Sequence, residues 1–427
     1  MAGGSSADVE RLVDHLFRHE FGRILAILTR AFGPEHLDLA EDVAQEALMK
    51  ALEVWPYRGV PENPTAWLAQ VAKNRAINVL NHVRLIKRKS QNIADALGPD
   101  RDADQAAESI DASGAMDDVA RLMFVACHPA LSAESRVALT LKTVAGLSVE
   151  EIASALLAQP TAVAQRLVRA KKQIAELALS FEVPAPAELP TRLGSVLEVL
   201  YLLFNEGYAA HGGDNLVRGE LCEEAIRLGT LISRIPECDQ PRVHALLALM
   251  LLAAARLDAR MAAGGELLLL QQQDRSLWNR ERIVAGMAHL EKSMHGDALT
   301  AYHLEAGIAA CHATASSYED TDWAQIRELY DQLLVINPSP VVALNHAVAV
   351  FQCDGPAAAL RMLEAVREHP ALQRYYLLWA ILGKLSAAAG DDARAAAYYR
   401  EALRCPCSAP ERRFLESTLA ALPGSSS

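Results

Sequence analysis

Apolar residues recur at helical spacing along almost the whole of this chain. In the segment 8–31, for example, the large apolar side chains lie three or four positions apart, so they share one face of a helix. No run alternates apolar and polar residues between turn signals, which is the pattern of β-strands. At 427 residues, 51% of them hydrophobic, the chain exceeds one ordinary hydrophobic core. We therefore predict an all-α fold with several domains.

Composition excludes several classes of protein. The seven cysteines form no CxxC pair, which is typical of reduced thiols rather than of a disulfide framework or a zinc ribbon. No apolar run is long enough to cross a bilayer, and the first residues lack the basic and apolar segments of a secretory leader. We expect a cytoplasmic protein without a membrane segment.

Charge changes abruptly along the N-terminal part. Residues 73–89 hold six basic side chains and no acid, whereas residues 91–118 hold eight acids and one arginine. The acidic stretch has few large apolar residues, which is typical of a flexible linker. The predicted order is a first helical domain at 8–89, the acidic linker at 90–117, a second helical domain at 118–180, a proline-rich linker at 181–190, a helical middle domain at 191–289 and helical repeats at 290–422.

Residues 147–174 have the pattern of a helix-turn-helix. Ser148 and Glu151 have capping-box spacing, and Pro160 suits the first position of the second helix. That helix is apolar on one side, and its other side carries groups that read bases and neutralise phosphate. The outward-facing residues are Thr161, Gln165, Arg166, Arg169 and Lys172. The alternative is an ordinary amphipathic hairpin with solvated charges, because Ala158 replaces the usual turn glycine.

Aromatic and basic residues also combine in residues 55–89. A loop with three prolines at 55–64 precedes a helix that is apolar on one side and basic on the other. Basic groups neutralise phosphate and aromatic rings stack on exposed bases, which suits DNA opened into single strands. The candidate residues are Tyr57, Arg58, Trp67, Lys73, Asn74, Arg75 and Asn78. A buried Trp67 beside a merely solvated basic face is the alternative.

A helical repeat is indicated near the C-terminus. In the segment 390–406 a glycine is followed by small and large residues at fixed offsets, namely Ala395, Tyr399 and Ala402, and Pro406 closes the unit. These offsets are those of a tetratricopeptide repeat. Such helix pairs stack into a solenoid whose concave face usually holds a peptide or a protein. Helical hairpins that act only as a spacer are the alternative.

Taken in order, these segments resemble the extracytoplasmic-function group of bacterial RNA polymerase sigma factors. The similarity runs through DLAEDVAQEALMKALEVW, PTAWLAQVAKNRAINVL and the helix-turn-helix, and it covers residues 8–180. The long tail is similar to that of the subgroup with a C-terminal tetratricopeptide extension. The shared tail segments are LYLLFNEGY at 200–208, EEAIRLGTL at 223–231, LLALMLLAAAR at 246–256 and QQQDRSLW at 271–278.

The resemblance implies a promoter-specificity subunit with no reaction, cofactor or metal of its own. Its partners would be promoter DNA and core polymerase, bound through the β′ clamp helices and the β flap, and the repeats would hold a protein or peptide that regulates activity. Asp42, Gln45 and Glu46 match the surface that docks on the β′ clamp helices. The residues of 57–78 match the part that reads the minus-10 element, and those of 161–172 match the minus-35 reading helix.

Two other functions remain open at this stage. The first is a helical-repeat scaffold whose helix-turn-helix reads an operator without polymerase. The second is a helical enzyme, which the sequence does not favour because the chain lacks the GxxxxGK[ST], GxGxxG, HExxH and GxSxG motifs. His15 and His19 are spaced to share a metal on a helix, but no third ligand is visible.

Overall fold

A computed structural model describes residues 20–90, 115–156, 158–208, 218–262, 267–296, 298–370 and 372–423. The chain forms two compact units, Met1–Val199 and Leu200–Ser427. Within the described ranges, β pairing is limited to one isolated bridge between Met261 and Leu267. The predicted all-α fold is therefore confirmed.

The first unit is built from short and medium helices. A helix over residues 20–32, here α1, precedes a 3-10 turn at Pro34–His36. The helices that follow are α2 (Leu37–Arg58), α3 (Pro64–Ser90), α4 (Ala115–Ala126), α5 (Ala133–Thr143), α6 (Val149–Ala155), α7 (Pro160–Leu177) and α8 (Leu189–Tyr208), the last of which runs into the second unit.

The second unit is also built from short and medium helices. Its helices are α9 (Gly219–Ser233), α10 (Pro241–Ala254), α11 (Arg280–Ser293), α12 (Ala301–Thr314), α13 (Trp323–Ile336), α14 (Pro340–Asp354), α15 (Pro356–Glu364), α16 (Tyr376–Ala388), α17 (Asp392–Arg404) and α18 (Ala409–Ala420). Short 3-10 turns lie at Pro236–Cys238, Leu257–Ala259, Leu270–Gln272 and Arg275–Leu277.

Helix α2 is longer than the sequence predicts. The loop expected from residue 55 starts only after Arg58, because Pro56 lies inside the helix. Proline has a helical φ, so near a helix end it costs little beyond one backbone hydrogen bond. The helix ends at Gly59, which has φ 80° and donates its N–H to the carbonyl of Trp55 at 3.0 Å. The positive φ of this glycine, rather than the proline, stops the helix.

The predicted helix-turn-helix is present as α6 and α7. The Ser148 hydroxyl accepts the Glu151 N–H at 3.1 Å, and the Glu151 carboxylate accepts the Ser148 N–H at 2.8 Å, which completes the capping box. Pro160 begins α7. Val163 and Ile174 are fully buried, so the apolar side of α7 faces the core as predicted.

The first unit contains two N-terminal modules, one formed by α1–α3 and the other by α4–α7. These two modules pack directly against each other. Glu41 of α2 is buried, and its carboxylate lies 3.2 Å from the Lys142 ammonium and 2.9 Å from the Lys171 ammonium. A Cβ at Gly22 of α1 would lie 2.1 Å from the backbone oxygen of Val144 at the end of α5. The predicted linker lies almost entirely outside the described residues, and α4 begins at its end, at Ala115.

Antiparallel helix pairs make up the end of the second unit. One such pair consists of α16 and α17, and Gly390, with φ 83°, follows the end of α16. Ala395 and Ala402 are fully buried on α17, and the Tyr399 ring lies 3.0 Å from the position of a Cβ at Gly383. The small and large residues of the repeat pattern therefore interlock as the spacing predicts. No helix in the described part of the chain is both long and apolar enough to cross a membrane.

Candidate nucleic-acid interface

The outer face of α7 presents most of the predicted minus-35 residues. Thr161, Gln165, Arg169 and Lys172 are exposed, and Arg166 is half-buried. Val168 is 64% exposed on the same face. A face with amide, guanidinium and methyl groups offers the hydrogen-bond and apolar contacts by which major-groove edges are read, including the thymine methyl group.

The charges on α7 divide between its two sides. Arg169 donates to the Gln165 side-chain oxygen at 3.4 Å, which orients both groups on the outer face. Lys171 faces the other way, with its ammonium 2.5 Å from Asp38 and 2.9 Å from Glu41. Burial by itself would lower the pKa of Lys171, but Glu41 and Asp38 outweigh it and raise that pKa above its ordinary value. Lys171 therefore pairs with acids of α2 and does not belong to the DNA-contacting face.

An exposed tyrosine stands at the end of α2. Tyr57 is 89% exposed and Arg58 is exposed beside it, so a ring and a guanidinium project from the last helical turn. The indole of Trp55, by contrast, is 2% exposed, and its centroid lies 5.4 Å from that of half-buried Trp67. Trp67 thus packs against the buried Trp55 ring and is only partly accessible. Tyr57 is the aromatic group best placed to stack on an unpaired base.

Of the polar minus-10 residues predicted on α3, all but Lys73 are exposed. Asn74, Arg75 and Asn78 are exposed. The prediction that Lys73 belongs to the exposed basic face is wrong, because Lys73 is only 4% exposed. The physical reason is helical phase: position 73 follows position 69 by four and precedes position 76 by three, which puts it on the buried stripe of Ala69 and Ala76.

The predicted polymerase surface lies on α2 next to α3. Asp42 and Glu46 are exposed and Gln45 is half-buried. Burial and the neighbouring Glu41 raise the pKa of Asp42 above its ordinary value. The Glu46 carboxylate lies 2.5 Å from the Arg75 guanidinium, with both side chains about half exposed. An acidic residue expected to bind polymerase therefore pairs with a basic residue expected to bind DNA.

Glu41, Lys142 and Lys171 are the important residues that the sequence analysis missed. They lie far apart in the chain. Glu41 and Lys171 each adjoin a predicted site residue, whereas Lys142 carries no local signal. Their ion pairs depend on how the two modules pack against each other, and the spacing of apolar residues in the sequence does not reveal this.

The histidines and cysteines offer no metal site in the described part of the chain, and buried Cys127 is not a reactive nucleophile. No group of three or more His, Cys, Asp or Glu side chains in the described residues could hold a metal ion. The pair His15 and His19 lies outside those residues. Cys127 is buried with its Sγ 3.3 Å from the Thr140 hydroxyl, and burial raises the pKa of this thiol to about 11. Cys127 is therefore a neutral core thiol at physiological pH.

Comparison with known families agrees with this geometry. Residues 16–86 match the family described as sigma-70 region 2, residues 121–174 match sigma-70 region 4, and residues 192–294 match a family of unknown function, DUF6596. An uncharacterised protein of Rhizobium meliloti (strain 1021), R00370, is 39% identical over 386 residues, which cover 90% of each chain. No solved structure matches the chain significantly. The first unit therefore carries both sigma-70 region 2 and sigma-70 region 4, and these two regions support a sigma factor.

Proposed function

We propose that this chain is an extracytoplasmic-function sigma factor, which binds core polymerase, recognises the minus-35 and minus-10 elements and helps to open the start region. The observation that carries the proposal is the exposed polar and basic face of α7 in the same unit as the exposed Tyr57 and the polar face of α3. These two surfaces have the chemistry for duplex readout and for single-strand capture respectively.

Each surface has its own role in the proposal. Thr161, Gln165 and Arg166 read minus-35 bases, while Arg169 and Lys172 neutralise phosphates. Tyr57 and Arg58 capture a base flipped out of the minus-10 element, and Asn74, Arg75 and Asn78 line the strand beside it. Trp67 supports this region from its half-buried position. Lys73 is removed from the set because it is buried.

Polymerase binding is assigned to Asp42, Gln45 and Glu46 of α2, which would dock on the β′ clamp helices, while the helix-turn-helix module would contact the β flap. Acidic and amide side chains suit a basic coiled-coil partner. The pairing of Glu46 with Arg75 adds a consequence. When polymerase engages Glu46, Arg75 is released toward DNA, so docking and minus-10 binding would favour each other.

The two sigma modules must separate before they read a promoter. The elements are named for positions about 25 base pairs apart, which is roughly 85 Å of duplex at 3.4 Å per base pair. Modules of this size are each about 30 Å across, and here Lys171 lies 2.5 Å from Asp38 across their boundary. The packed arrangement is therefore a closed state. Core polymerase would hold the modules apart, and the affinity for DNA would come from effective concentration.

The decisive experiment is transcription in vitro with core polymerase on a promoter upstream of the gene for this chain. We expect start-site selection that depends on the added chain. The Asp42→Ala variant should lose most of this activity. The control is Glu53→Ala, an exposed acid on the same helix that pairs with Lys50 at 2.8 Å, and this variant should keep the activity. Absence of a specific start with the wild-type chain contradicts the proposal.

Co-purification with β′ distinguishes the alternative function. An operator-reading regulator has no use for an acidic polymerase surface, so it would bind its site tightly without core polymerase. If the purified chain protected a promoter at nanomolar concentration in moderate salt and failed to bind β′, the scaffold-regulator function would replace the one proposed here.

For the tail we propose a regulatory role, with repeats of tetratricopeptide type that hold a protein or peptide. A truncation should stop after Val199, because residues up to Val199 belong to the first unit. Within that unit Arg192 donates to the Phe124 carbonyl at 2.7 Å, and Glu198 lies 2.8 Å from Arg136. We expect altered transcription from a cognate promoter. Unchanged output together with unchanged polymerase affinity removes the regulatory role.

A further inference from the structure

The second unit contains two adjoining cavities in its C-terminal half. The first, of about 280 Å³, is lined by polar and aromatic side chains from α12, α13, α14 and α16 and from the segment 269–271. The second, of about 180 Å³, lies among α14, α16, α17 and α18. Leu269, Val348 and Lys384 line both cavities, so the two spaces meet at these residues. Their combined size falls within the roughly 300–1,000 Å³ typical of small-molecule sites.

The first cavity is electropositive. Arg256 and Lys384 line it together with His312, and no carboxylate is among its lining residues. Arg256 donates from Nε to the Tyr208 hydroxyl at 2.7 Å, a neutral partner. Among the described residues, neither Arg256 nor Lys384 has a carboxylate within ion-pair distance. The remaining wall includes the aromatic rings of Tyr318, Trp323 and Tyr330.

The pKa values of two neighbouring groups reflect the positive charge of Arg256. Burial, followed by the nearby Arg256 and Arg275, lowers the pKa of His312 to about 3, so its imidazole is neutral. The Nδ1 atom of His312 is buried and has no hydrogen-bond partner among the described residues. Burial and Arg256 also lower the pKa of Arg275, against the opposing effect of Asp320 and Glu319. An anion in the cavity would relieve the repulsion between these cations.

The second cavity is almost entirely apolar. Its walls include Phe351, Ile381 and Phe414. The one carboxylate that lines it, Glu411, accepts the Ser408 N–H and hydroxyl at 2.7 Å each and also the Tyr376 hydroxyl. Glu411 is thus committed to the cap of α18 and does not compensate Lys384.

Lys384 stands where the two spaces join. Burial alone lowers the pKa of its ammonium, and no acid raises it. Lys384 also remains exposed to solvent. An accessible cation without a counter-ion among the described residues, beside an electropositive space and an apolar one, is an arrangement that an amphiphilic anion would complete.

We propose that the joined cavity binds a small organic anion, with a carboxylate or phosphate head group beside Arg256 and Lys384 and an apolar body among Phe351, Ile381 and Phe414. A helical peptide is excluded as occupant by size, because an α-helix with side chains is about 10–12 Å across. The ligand would order the contacts among α12, α14, α16 and α18, which places a chemical sensor in the second unit.

The test is calorimetric titration of the full chain with octanoate and octyl phosphate, and with octanol as the uncharged control. We expect one equivalent of at least one anion to bind, at least tenfold more tightly than octanol, with quenching or enhancement of tryptophan fluorescence from Trp323. The head group that binds more tightly identifies the anion class.

Two variants and a matched control complete the test. Lys384→Gln should weaken anion binding at least fivefold and leave octanol binding unchanged, while Lys292→Gln, an exposed lysine of α11, should have no effect. Ala380→Phe fills the apolar cavity and should weaken all three probes. Far-ultraviolet circular dichroism and the melting temperature verify that each variant folds.

Several results would overturn the inference. These are no binding of either anion at millimolar concentration, equal affinities for octanoate and octanol, or wild-type affinity in Lys384→Gln. Binding only of an extended peptide with a free C-terminal carboxylate would assign the cavity to a protein partner instead. Because no polymerase is present, these outcomes leave the proposed promoter function untouched.

Discussion

Lys171 and Lys172 are neighbours on α7 with different surroundings. The Lys171 ammonium lies between Asp38 and Glu41, with 13% of its side chain exposed, while the side chain of Lys172 is 77% exposed. One residue along a helix is a rotation of about 100°, which is enough to move a cation from a module boundary to the outer face. Substitutions at the two positions should therefore have unrelated effects.

On the outer face, base readout and phosphate contact can be separated experimentally. A bidentate contact from a side chain such as Gln165 carries about 1–3 kcal/mol of discrimination. Gln165→Ala should thus lower binding of the holoenzyme to its cognate minus-35 sequence roughly 5- to 100-fold, with little change on sequences altered at the contacted base. Lys172→Ala should weaken all promoters alike and reduce the salt slope by about 1.

Those measurements use holoenzyme binding to a promoter series over a range of salt concentration. A Gln165→Ala variant that weakened every promoter equally, or a Lys172→Ala variant with an unchanged salt slope, would show that the assignment of roles on α7 is wrong.

A buried carboxyl makes the second unit sensitive to pH. Burial raises the pKa of Glu305 to about 7, although a hydrogen bond with Tyr201 opposes the shift. The folded state therefore holds a proton that the unfolded state releases above pH 4.5, so the contribution of Glu305 to stability is lost as pH rises toward and through 7. The loss is on the order of 2 kcal/mol after allowance for partial exposure.

The prediction concerns the difference between two proteins, because His312 and His289 have lowered pKa values and act in the opposite direction below pH 6.5. Glu305→Gln should be more stable than the wild type by an amount that grows from pH 5 to pH 7.5. Urea unfolding at several pH values measures it. A difference that stays constant over this range would mean that Glu305 titrates normally.

At the scale of elements, helix ends are fixed by short local contacts. The capping box of Ser148 and Glu151 provides acceptors for two backbone N–H groups at the start of α6. Loss of an N-cap hydroxyl typically costs about 1 kcal/mol. Ser148→Ala should lower the free energy of unfolding of the first unit by this amount, measured in urea. Ser180→Ala, at an exposed position outside the helices, should change it by less than about 0.5 kcal/mol.

Helices and their exposed faces could be predicted from periodicity because each depends on residues within two or three turns. The helix-turn-helix was located from one capping box, one proline and a 3.6-residue apolar stripe. The errors came where two local signals compete: Pro56 suggested a loop, but Gly59 ends α2. Lys73 suggested a basic face, but its phase matches the buried alanines.

At the scale of the whole molecule, the closed packing of the two sigma modules leads to a test. The position of a Cβ at Gly22 lies 2.1 Å from the Val144 backbone oxygen, whereas nothing lies within 4 Å of a Cβ at Gly194. Gly22→Ala should therefore force the modules apart, and Gly194→Ala should not. We expect a larger radius of gyration in solution scattering and tighter binding to core polymerase for Gly22→Ala alone.

Ion pairing provides an independent route to the same opening. Replacing Glu41 with Gln leaves buried Lys142 beside an uncharged partner and leaves Lys171 with Asp38 alone, which is costly in a buried network. The Glu41→Gln variant should thus open like Gly22→Ala. A compact Glu41→Gln protein with wild-type polymerase affinity would show that the closed state does not limit docking.

Neighbouring residues in the sequence are enough to predict that the protein is helical, where the helix-turn-helix lies and which side chains of α7 face outward, because helical phase depends on residues that are close in the chain. Three other features arise only when the chain folds: Lys171 and Lys142 neutralise Glu41, Glu46 pairs with Arg75, and Arg256 and Lys384 line one cavity. Each of these contacts joins residues that are distant in the chain. Their energy depends on burial and on the distance between charges, and both quantities exist only after the helices have packed.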